Sequence, residues 1–249
     1  MNLSNRTILV TGGTSGIGLG LAEAFQRLNN RVIVCGRNQA KLKAVEKRMP
    51  GVTAIACDVA EARQREQLAR EVLERFPELD ILVNNAGIQR YVDLKKGYAE
   101  LKAGEDEITT NFVSTVEITG LFIEHLLKRP AAAVINVSSA LGLMPMANTP
   151  VYCATKAAMH IYTVVLRQQL KDTPVKVVEI LPPWVDTDLN KTGRERSQSK
   201  YRGMSVEEYI PSVIEGLEGD EEMLLHGDGA SIMSEPRGES EGRLLNPRW

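Results

Sequence analysis

Six short apolar runs alternate with helical patterns along the chain, and this alternation constrains the fold more than any other feature. The runs cover residues 7–10, 31–35, 52–57, 81–84, 133–137 and 175–181. They are mostly continuous Val, Ile, Leu and Ala, as is typical of strands buried on both faces of a parallel sheet. Between them, apolar residues recur at helical spacing, and two longer helices are predicted over 107–128 and 152–171. The pattern predicts a single doubly wound α/β domain spanning residues 1–249.

Composition limits the classes of function. The formal net charge of the 249 residues is −2, which gives no sign of affinity for nucleic acid or for anionic membranes. No apolar stretch approaches the length of a membrane span, and the polar start MNLSNR does not resemble a signal peptide. The three cysteines are far apart without a CxxC pair, and the three histidines show no metal-ligand spacing. A cytoplasmic protein without a metal site is therefore expected.

The stretch TGGTSGIG, residues 11–18, follows the first predicted strand and opens the first predicted helix. Gly12, Gly16 and Gly18 let a ligand approach the main chain, and the N–H groups of a helix N-terminus favour an anion. A Walker loop needs Lys after the last glycine, where Leu19 stands, so a triphosphate site is not expected. A tight turn without a ligand also explains the glycines, so the other strand ends must decide.

Those strand ends carry polar motifs of matching chemistry. Asn84-Asn85-Ala86-Gly87 follows the fourth run and Ser138-Ser139 follows the fifth, and a YxxxK motif, Tyr152 to Lys156, begins 13 residues after Ser139. Doubly wound sheets bind ligands beyond the carboxyl ends of their strands. With these motifs in order, residues 5–190 resemble the short-chain dehydrogenase/reductase superfamily in its compact branch. The stretch LPPWVDTDL also resembles a subgroup of uncharacterised oxidoreductases associated with cell-wall teichoic-acid alanylation genes.

The resemblance implies a Rossmann-like sheet with the strand order 3-2-1-4-5-6 and helices on both faces. EMLLHGDGASIM, residues 222–233, is the candidate for a degenerate seventh strand. Residues 190–217 stand where the family places its substrate lid, and residues 234–249 are expected to form a flexible tail. The resemblance also implies a homodimer, formed through the two long helices, or a homotetramer.

Tyr152 and Lys156 stand four residues apart, so on a helix they share one face. A nearby ammonium favours the phenolate and brings the pKa of a tyrosine towards the working range. The resemblance implies that Tyr152 exchanges a proton with the substrate oxygen and that Lys156 holds the nicotinamide ribose. It implies that Ser139 hydrogen-bonds the substrate oxygen and that Asn111 anchors a water relaying protons to Lys156. Trp184 either walls the substrate pocket or packs in the core.

Cofactor preference depends on the residue that follows the second strand. Arg37 stands there, without an acidic partner for a ribose diol, and its planar cation suits a 2′-phosphate. NADP(H) is therefore expected, with NAD(H) as the alternative if Arg37 only stacks on adenine. The resemblance implies cofactor contacts from further residues at the strand ends: Gly12, Thr14, Ser15, Gly16, Ile17, Gly18, Asp58, Val59, Asn85, Ala86, Gly87, Tyr152, Lys156, Pro182, Val185 and Thr187.

Together these features predict an NADP(H)-dependent oxidoreductase that interconverts a secondary alcohol and a ketone on a small-molecule substrate. An NAD-preferring dehydrogenase, or a C=N or C=C reductase on the same scaffold, is the alternative within this chemistry. A dinucleotide-sensing protein without turnover is the alternative from another class. The family's usual Pro-Gly is Pro182-Pro183 here, and the second proline removes an N–H and stiffens the loop. The expected nicotinamide contact at this loop is altered accordingly.

Overall fold

A seven-stranded parallel sheet organises residues 1–102, 105–190 and 203–225, which are the residues described by the computed structural model. Its strands are β1 Thr7–Thr11, β2 Arg31–Gly36, β3 Thr53–Ala56, β4 Leu79–Asn84, β5 Ala132–Val137, β6 Val175–Leu181 and β7 Met223–Leu225. Neighbouring strands pair in parallel in the order β3-β2-β1-β4-β5-β6-β7. All carboxyl ends therefore lie at one edge of the sheet.

Helices cover both faces of this sheet. They are α1 Gly16–Arg27, α2 Gln39–Arg48, α3 Ala62–Arg75, α4 Tyr98–Lys102, α5 Glu105–Glu107, α6 Ser114–Leu126, α7 Pro150–Leu170 and α8 Val206–Glu218, with a π-helical segment, Ile108–Val113, between α5 and α6. One apolar cluster packs α1, α2 and α8 on the first face, and a second packs α3, α6 and α7 on the other. None of the helices within the described ranges is long and apolar enough to cross a membrane.

Local sequence explains where several helices begin. Asn38 caps α2 by accepting a hydrogen bond from the N–H of Lys41. Ser205 and Glu208 form a reciprocal capping box at the start of α8. Proline is favoured in the first turn of a helix, where no N–H partner is lost, and α7 begins at Pro150.

The predicted doubly wound, Rossmann-like fold and its strand order are confirmed. The seventh strand forms with only three residues, and it pairs with β6 at the start of the candidate stretch 222–233. Residues 226–233 and the predicted tail lie outside the described residues. Of the predicted lid, residues 191–202 lie outside them as well, while α8 packs on α1, where a Cβ on Gly20 would lie 2.6 Å from Val206.

Candidate active site

The glycine loop between β1 and α1 has a backbone that side chains would disturb. Gly12 and Gly16 have φ of +65° and +55°, a region that favours glycine. A Cβ on Gly12 would lie 2.8 Å from the Cα of Ala86. Ser15 precedes α1 without a side-chain hydrogen bond to it, and the first turn of α1 carries no acidic residue. The positive N-terminal end of α1 is therefore accessible to an anion.

Thr11 fastens this loop to the end of β4. Its buried hydroxyl accepts hydrogen bonds from the N–H groups of Asn85 and Ala86, at 3.0 and 3.1 Å. The amide of Asn85 donates in return to the carbonyl of Thr11 at 2.9 Å and to that of Gly12 at 3.3 Å. The two strand ends are held together without help from a ligand, so the loop is preformed.

Arg37 follows β2 as a largely exposed guanidinium beside the glycine loop. Its side chain is 64% exposed, and its Nη1 lies 3.9 Å from a carboxylate oxygen of Asp58, which follows β3. The neighbouring Gly36 is pressed against Thr14 of the glycine loop, since a Cβ there would lie 3.0 Å from the Thr14 side chain. The structure therefore brings Arg37 and Asp58, both predicted to contact the cofactor, close to each other.

Tyr152 and Lys156 lie on one face of α7, next to Ser139 at the end of β5. Only 5% of Tyr152, 3% of Lys156 and 7% of Ser139 is exposed, and the Ser139 side chain lies near enough to the Tyr152 phenol to lower its pKa. The Lys156 ammonium donates to the carbonyl of Val137 at 2.9 Å and lies 5.7 Å from the centre of the Tyr152 ring. Gly142 fixes this arrangement, because a Cβ there would come within 2.8 Å of the Lys156 main chain.

Burial shifts both ionisable groups of this cluster. It raises the pKa of Tyr152 well above its usual range, and the hydrogen bond with Ser139 opposes this rise. Burial also lowers the pKa of Lys156 to about 8, while the charge of Glu179 raises it. At neutral pH the cluster therefore holds a neutral phenol next to an ammonium.

Asn111 lies in the π-helical segment and holds the loop that follows β4. Its amide donates to the carbonyl of Ile88 at 2.9 Å and to the hydroxyl of Thr155 at 3.1 Å, and its oxygen accepts from the N–H of Ile88 at 2.8 Å. Gly87 lies between Asn111 and Lys156, because a Cβ on it would be 3.3 Å from the former and 3.6 Å from the latter. π-Helical turns are frequent at functional sites. The Asn111 side chain is thus a support of the site, and its role as a water anchor stays a prediction.

The loop after β6 is held from two sides. The carbonyl of Pro182 accepts from the N–H of Ala140 at 3.0 Å, and the carbonyl of Trp184 accepts from the N–H of Met204 at 3.0 Å. Val185 is buried and forms an isolated bridge with Met204. A Cβ on Gly16 would lie 3.2 Å from Thr187, so this loop also meets the glycine loop. The half-buried Trp184 leaves both interpretations of that residue open.

Two buried acids near the cluster were not predicted from the sequence. Glu107 accepts a hydrogen bond from the N–H of Arg90 at 2.8 Å, and burial raises its pKa to about 7. Glu179 lies in β6, where it accepts from the Ser138 hydroxyl at 2.5 Å and contacts Nδ1 of His160 at 2.8 Å. The available signal was a glutamate inside the apolar run VKVVEIL. Within the described residues, no group of three or more His, Cys, Asp or Glu is placed to hold a metal ion.

Comparison with known proteins identifies the family. Residues 6–198 match the family model described as short chain dehydrogenase. The chain is a short-chain dehydrogenase. It is 47% identical over 224 residues to the "Uncharacterized oxidoreductase DltE" of Bacillus subtilis, which covers 90% of this chain and 89% of that protein. It is 33% identical over 213 residues to human 15-hydroxyprostaglandin dehydrogenase [NAD(+)], covering 81% of this chain and 76% of the relative.

A solved structure agrees with this short-chain dehydrogenase assignment. A short chain dehydrogenase from Burkholderia cenocepacia, in complex with NADP, superposes with a TM-score of 0.85 at 26% identity, covering 99% of this chain and 100% of that one. The predicted resemblance to the family and to uncharacterised oxidoreductases is confirmed. The protein is accordingly an oxidoreductase with a Rossmann-like fold for a nicotinamide dinucleotide.

Proposed function

We propose that this short-chain dehydrogenase is an NADP(H)-dependent enzyme that interconverts a secondary alcohol and a ketone. The observation that carries the proposal is the buried cluster of Ser139, Tyr152 and Lys156 at the carboxyl edge of the sheet. When bound, the nicotinamide dinucleotide supplies or accepts the hydride. The substrate is a small carbonyl compound or alcohol whose oxygen reaches Ser139 and Tyr152.

The chain's own residues manage the proton and the substrate oxygen. In reduction, the Ser139 hydroxyl donates a hydrogen bond that orients the carbonyl oxygen, and Tyr152 gives that oxygen its phenolic proton. The Lys156 ammonium, which lies 5.7 Å from the centre of the Tyr152 ring, stabilises the phenolate that remains. In oxidation, the phenolate takes the proton back. Asn111 keeps the loop beside Lys156 in place and is our proposed anchor for a relaying water.

The residues at the strand ends fit a nicotinamide dinucleotide. The positive φ of Gly12 and Gly16 and the uncapped start of α1 suit the pyrophosphate. We assign Thr14, Ser15, Ile17 and Gly18 to the same subsite, and Asp58, Val59, Asn85, Ala86 and Gly87 to the adenosine side. At the other end, we assign Pro182, Val185 and Thr187 to the nicotinamide and Trp184 to the wall of the substrate pocket.

Arg37 supports a preference for NADP(H). Its guanidinium is largely exposed, with Nη1 3.9 Å from a carboxylate oxygen of Asp58, and is therefore accessible to a 2′-phosphate. We expect Arg37→Asp to move the ratio of kcat/KM for NADPH over NADH at least about tenfold towards NADH, because the loss of one charge-assisted contact is about 1.5 kcal/mol or more. Lys41→Asp, a charge reversal of another exposed cation, is the matched control. An unchanged ratio in Arg37→Asp contradicts this role of Arg37.

The function itself is tested by following nicotinamide absorbance with NADPH and NADH against a panel of carbonyl compounds, including cyclic and anionic ketones. Turnover with NADPH supports the proposal and begins to define the substrate. Tight NADPH binding without turnover on any carbonyl favours the dinucleotide-sensing alternative. Turnover restricted to imines or activated alkenes favours the C=N or C=C reductase alternative.

The state of assembly is also part of the proposal. Ile108, beside α5, and Ile161 and Val165, on α7, are about half exposed, although they are large and apolar. Such a surface on the π-helical segment and α7 favours a homodimer, with a homotetramer as the larger alternative. Light scattering on the purified chain distinguishes these assemblies from a monomer.

The free state of all three buried cysteines agrees with a protein that acts in the reducing cytoplasm.

A further inference from the structure

A row of buried polar side chains crosses the sheet below the catalytic cluster. Asn84 in β4, Asn136 in β5 and Glu179 in β6 occupy paired positions on adjacent strands. Asn84 donates to Asn136 at 2.9 Å, and Asn136 donates to the hydroxyl of Thr163 on α7 at 2.9 Å. Glu179 is the charged member of this row, and it is fully buried.

The two oxygens of Glu179 bind the two segments that carry the catalytic cluster. One accepts the Ser138 hydroxyl at 2.5 Å, and Ser138 directly precedes Ser139. The other contacts Nδ1 of His160 at 2.8 Å, and His160 stands one helical turn after Lys156 on α7. A single carboxylate therefore links the end of β5 to the catalytic face of α7.

Glu179 also supplies a negative charge near the buried ammonium of Lys156. A buried ammonium is costly unless an opposite charge lies near it. The Lys156 ammonium is buried, and its hydrogen-bond acceptor, the carbonyl of Val137, is neutral. The charge of Glu179 acts on Lys156 and raises the pKa that burial lowers. The two oxygens of Glu179 are held by the Ser138 hydroxyl and by Nδ1 of His160.

Other titratable groups near this pair have different partners. On α7, Tyr152 and His160 face the cluster on either side of Lys156, and Arg167 turns to the β7 edge, where it pairs with Glu222 at 3.4 Å. Glu107, beside the π-helical segment, acts on Tyr152. Glu179 is therefore the acid through which the sheet acts on Lys156.

We propose that Glu179 is a positioning residue whose buried carboxylate, held by Ser138 and His160, is the counter-charge that keeps Lys156 protonated. The proposal deepens the proposed function, on which its consequence for turnover rests. The alternative is a purely structural link between β5, β6 and α7. The two are separated by replacing the charge while keeping the shape.

The sign of the effect follows from electrostatics. Removal of a negative charge makes proton loss easier from every neighbouring group, so it lowers the pKa of Lys156 and of Tyr152 alike. Carbonyl reduction requires that both Lys156 and Tyr152 carry their protons. Its rate therefore falls as the pH rises through the lower of the two pKa values. Glu179→Gln therefore moves the alkaline limb of the pH–rate profile, the range in which the rate falls, to lower pH. A purely structural role would lower the rate at all pH values and leave the limb in place.

The deciding experiment is NMR of the full chain labelled with ¹³Cε-lysine and titrated without cofactor, with the Lys156 signal assigned by its loss in Lys156→Arg. We expect the pKa of Lys156, about 8 in the wild type, to fall by at least about one unit in Glu179→Gln, a tenfold loss of proton affinity. Glu179→Asp retains the charge, so the pKa of Lys156 in this variant should stay close to its value in the wild type. An unchanged pKa of Lys156 in folded Glu179→Gln overturns the proposal.

Two further variants complete the test. Glu222→Gln removes an exposed carboxylate at the β7 edge and should leave the pKa of Lys156 unchanged. The double variant Glu179→Val with His160→Leu removes the carboxylate and its ring partner together, so it remains decisive if the glutamine variant does not fold. In it, too, the pKa of Lys156 must fall. The titration needs no substrate. It therefore tests the role of Glu179 even if the carbonyl panel yields no turnover and the proposed function fails.

Discussion

The hydroxyl of Thr11 is the sharpest structural test of the preformed glycine loop. It accepts two main-chain N–H groups, those of Asn85 and Ala86, and donates to the carbonyl of Val83 at 3.3 Å. Thr11→Val preserves the shape of the side chain and removes all three interactions. Each half-buried N–H left without a partner costs about 1–2 kcal/mol, so we expect a loss of about 2–4 kcal/mol in the free energy of unfolding.

Urea unfolding measured by circular dichroism gives this value, and fluorescence titration with NADPH measures the effect on the loop. The control is Thr7→Val, a buried threonine at the other end of β1 whose hydroxyl makes no hydrogen bond within the described part of the chain. We expect Thr7→Val to cost less than about 1 kcal/mol and to leave NADPH affinity unchanged. If the two variants lose the same stability, the argument that Thr11 fastens β1 to β4 is wrong.

Three further predictions concern close contacts and charge. Gly12→Ala, with φ of +65° and a Cβ 2.8 Å from the Cα of Ala86, should weaken NADPH binding more than about tenfold in a fluorescence titration. Gly142→Ala should lower kcat while changing the free energy of unfolding little, because its Cβ would push the turn at Gly142 away from the Lys156 main chain. An unchanged kcat would contradict this prediction. Burial raises the pKa of Glu107 from 4.5 to about 7, so the folded chain retains a proton that the unfolded chain releases, and stability falls as pH rises through this range by up to about 3 kcal/mol. Glu107→Gln should abolish this slope in urea unfolding at pH 5 and pH 8, and an unchanged slope would assign it to another group.

The sheet and the helix that carries Tyr152 and Lys156 were predictable because their signals are local. A strand buried on both faces requires a continuous apolar run, and the run at 175–181 matches β6 residue for residue. Strand ends were predicted less accurately: β4 begins at Leu79, whereas the predicted start lies two residues later, because the acidic Asp80 interrupts the apolar pattern. Tyr152 and Lys156 were found through their spacing on one helix, and the structure places both on α7.

Features that depend on contacts between distant segments were not predictable. The helix predicted over 107–128 contains the π-helical turn at Asn111, whose amide is bound by Ile88 and Thr155 from elsewhere in the chain. The sequence assigned no catalytic role to His160, and its partner Glu179 lies in a strand 19 residues further on. No local pattern specifies such a pair, because a carboxylate in a strand interior is stabilised only by the folded structure around it.

The central claim is that Tyr152 moves the proton during carbonyl reduction by this short-chain dehydrogenase. Tyr152→Phe tests it most directly, because it removes the phenolic oxygen and retains the ring that packs in the cluster. We predict NADPH affinity within about twofold of the wild type, and kcat for the best carbonyl substrate lower by about 10³-fold or more. Turnover retained within about tenfold of the wild type, with NADPH still bound, would contradict the account.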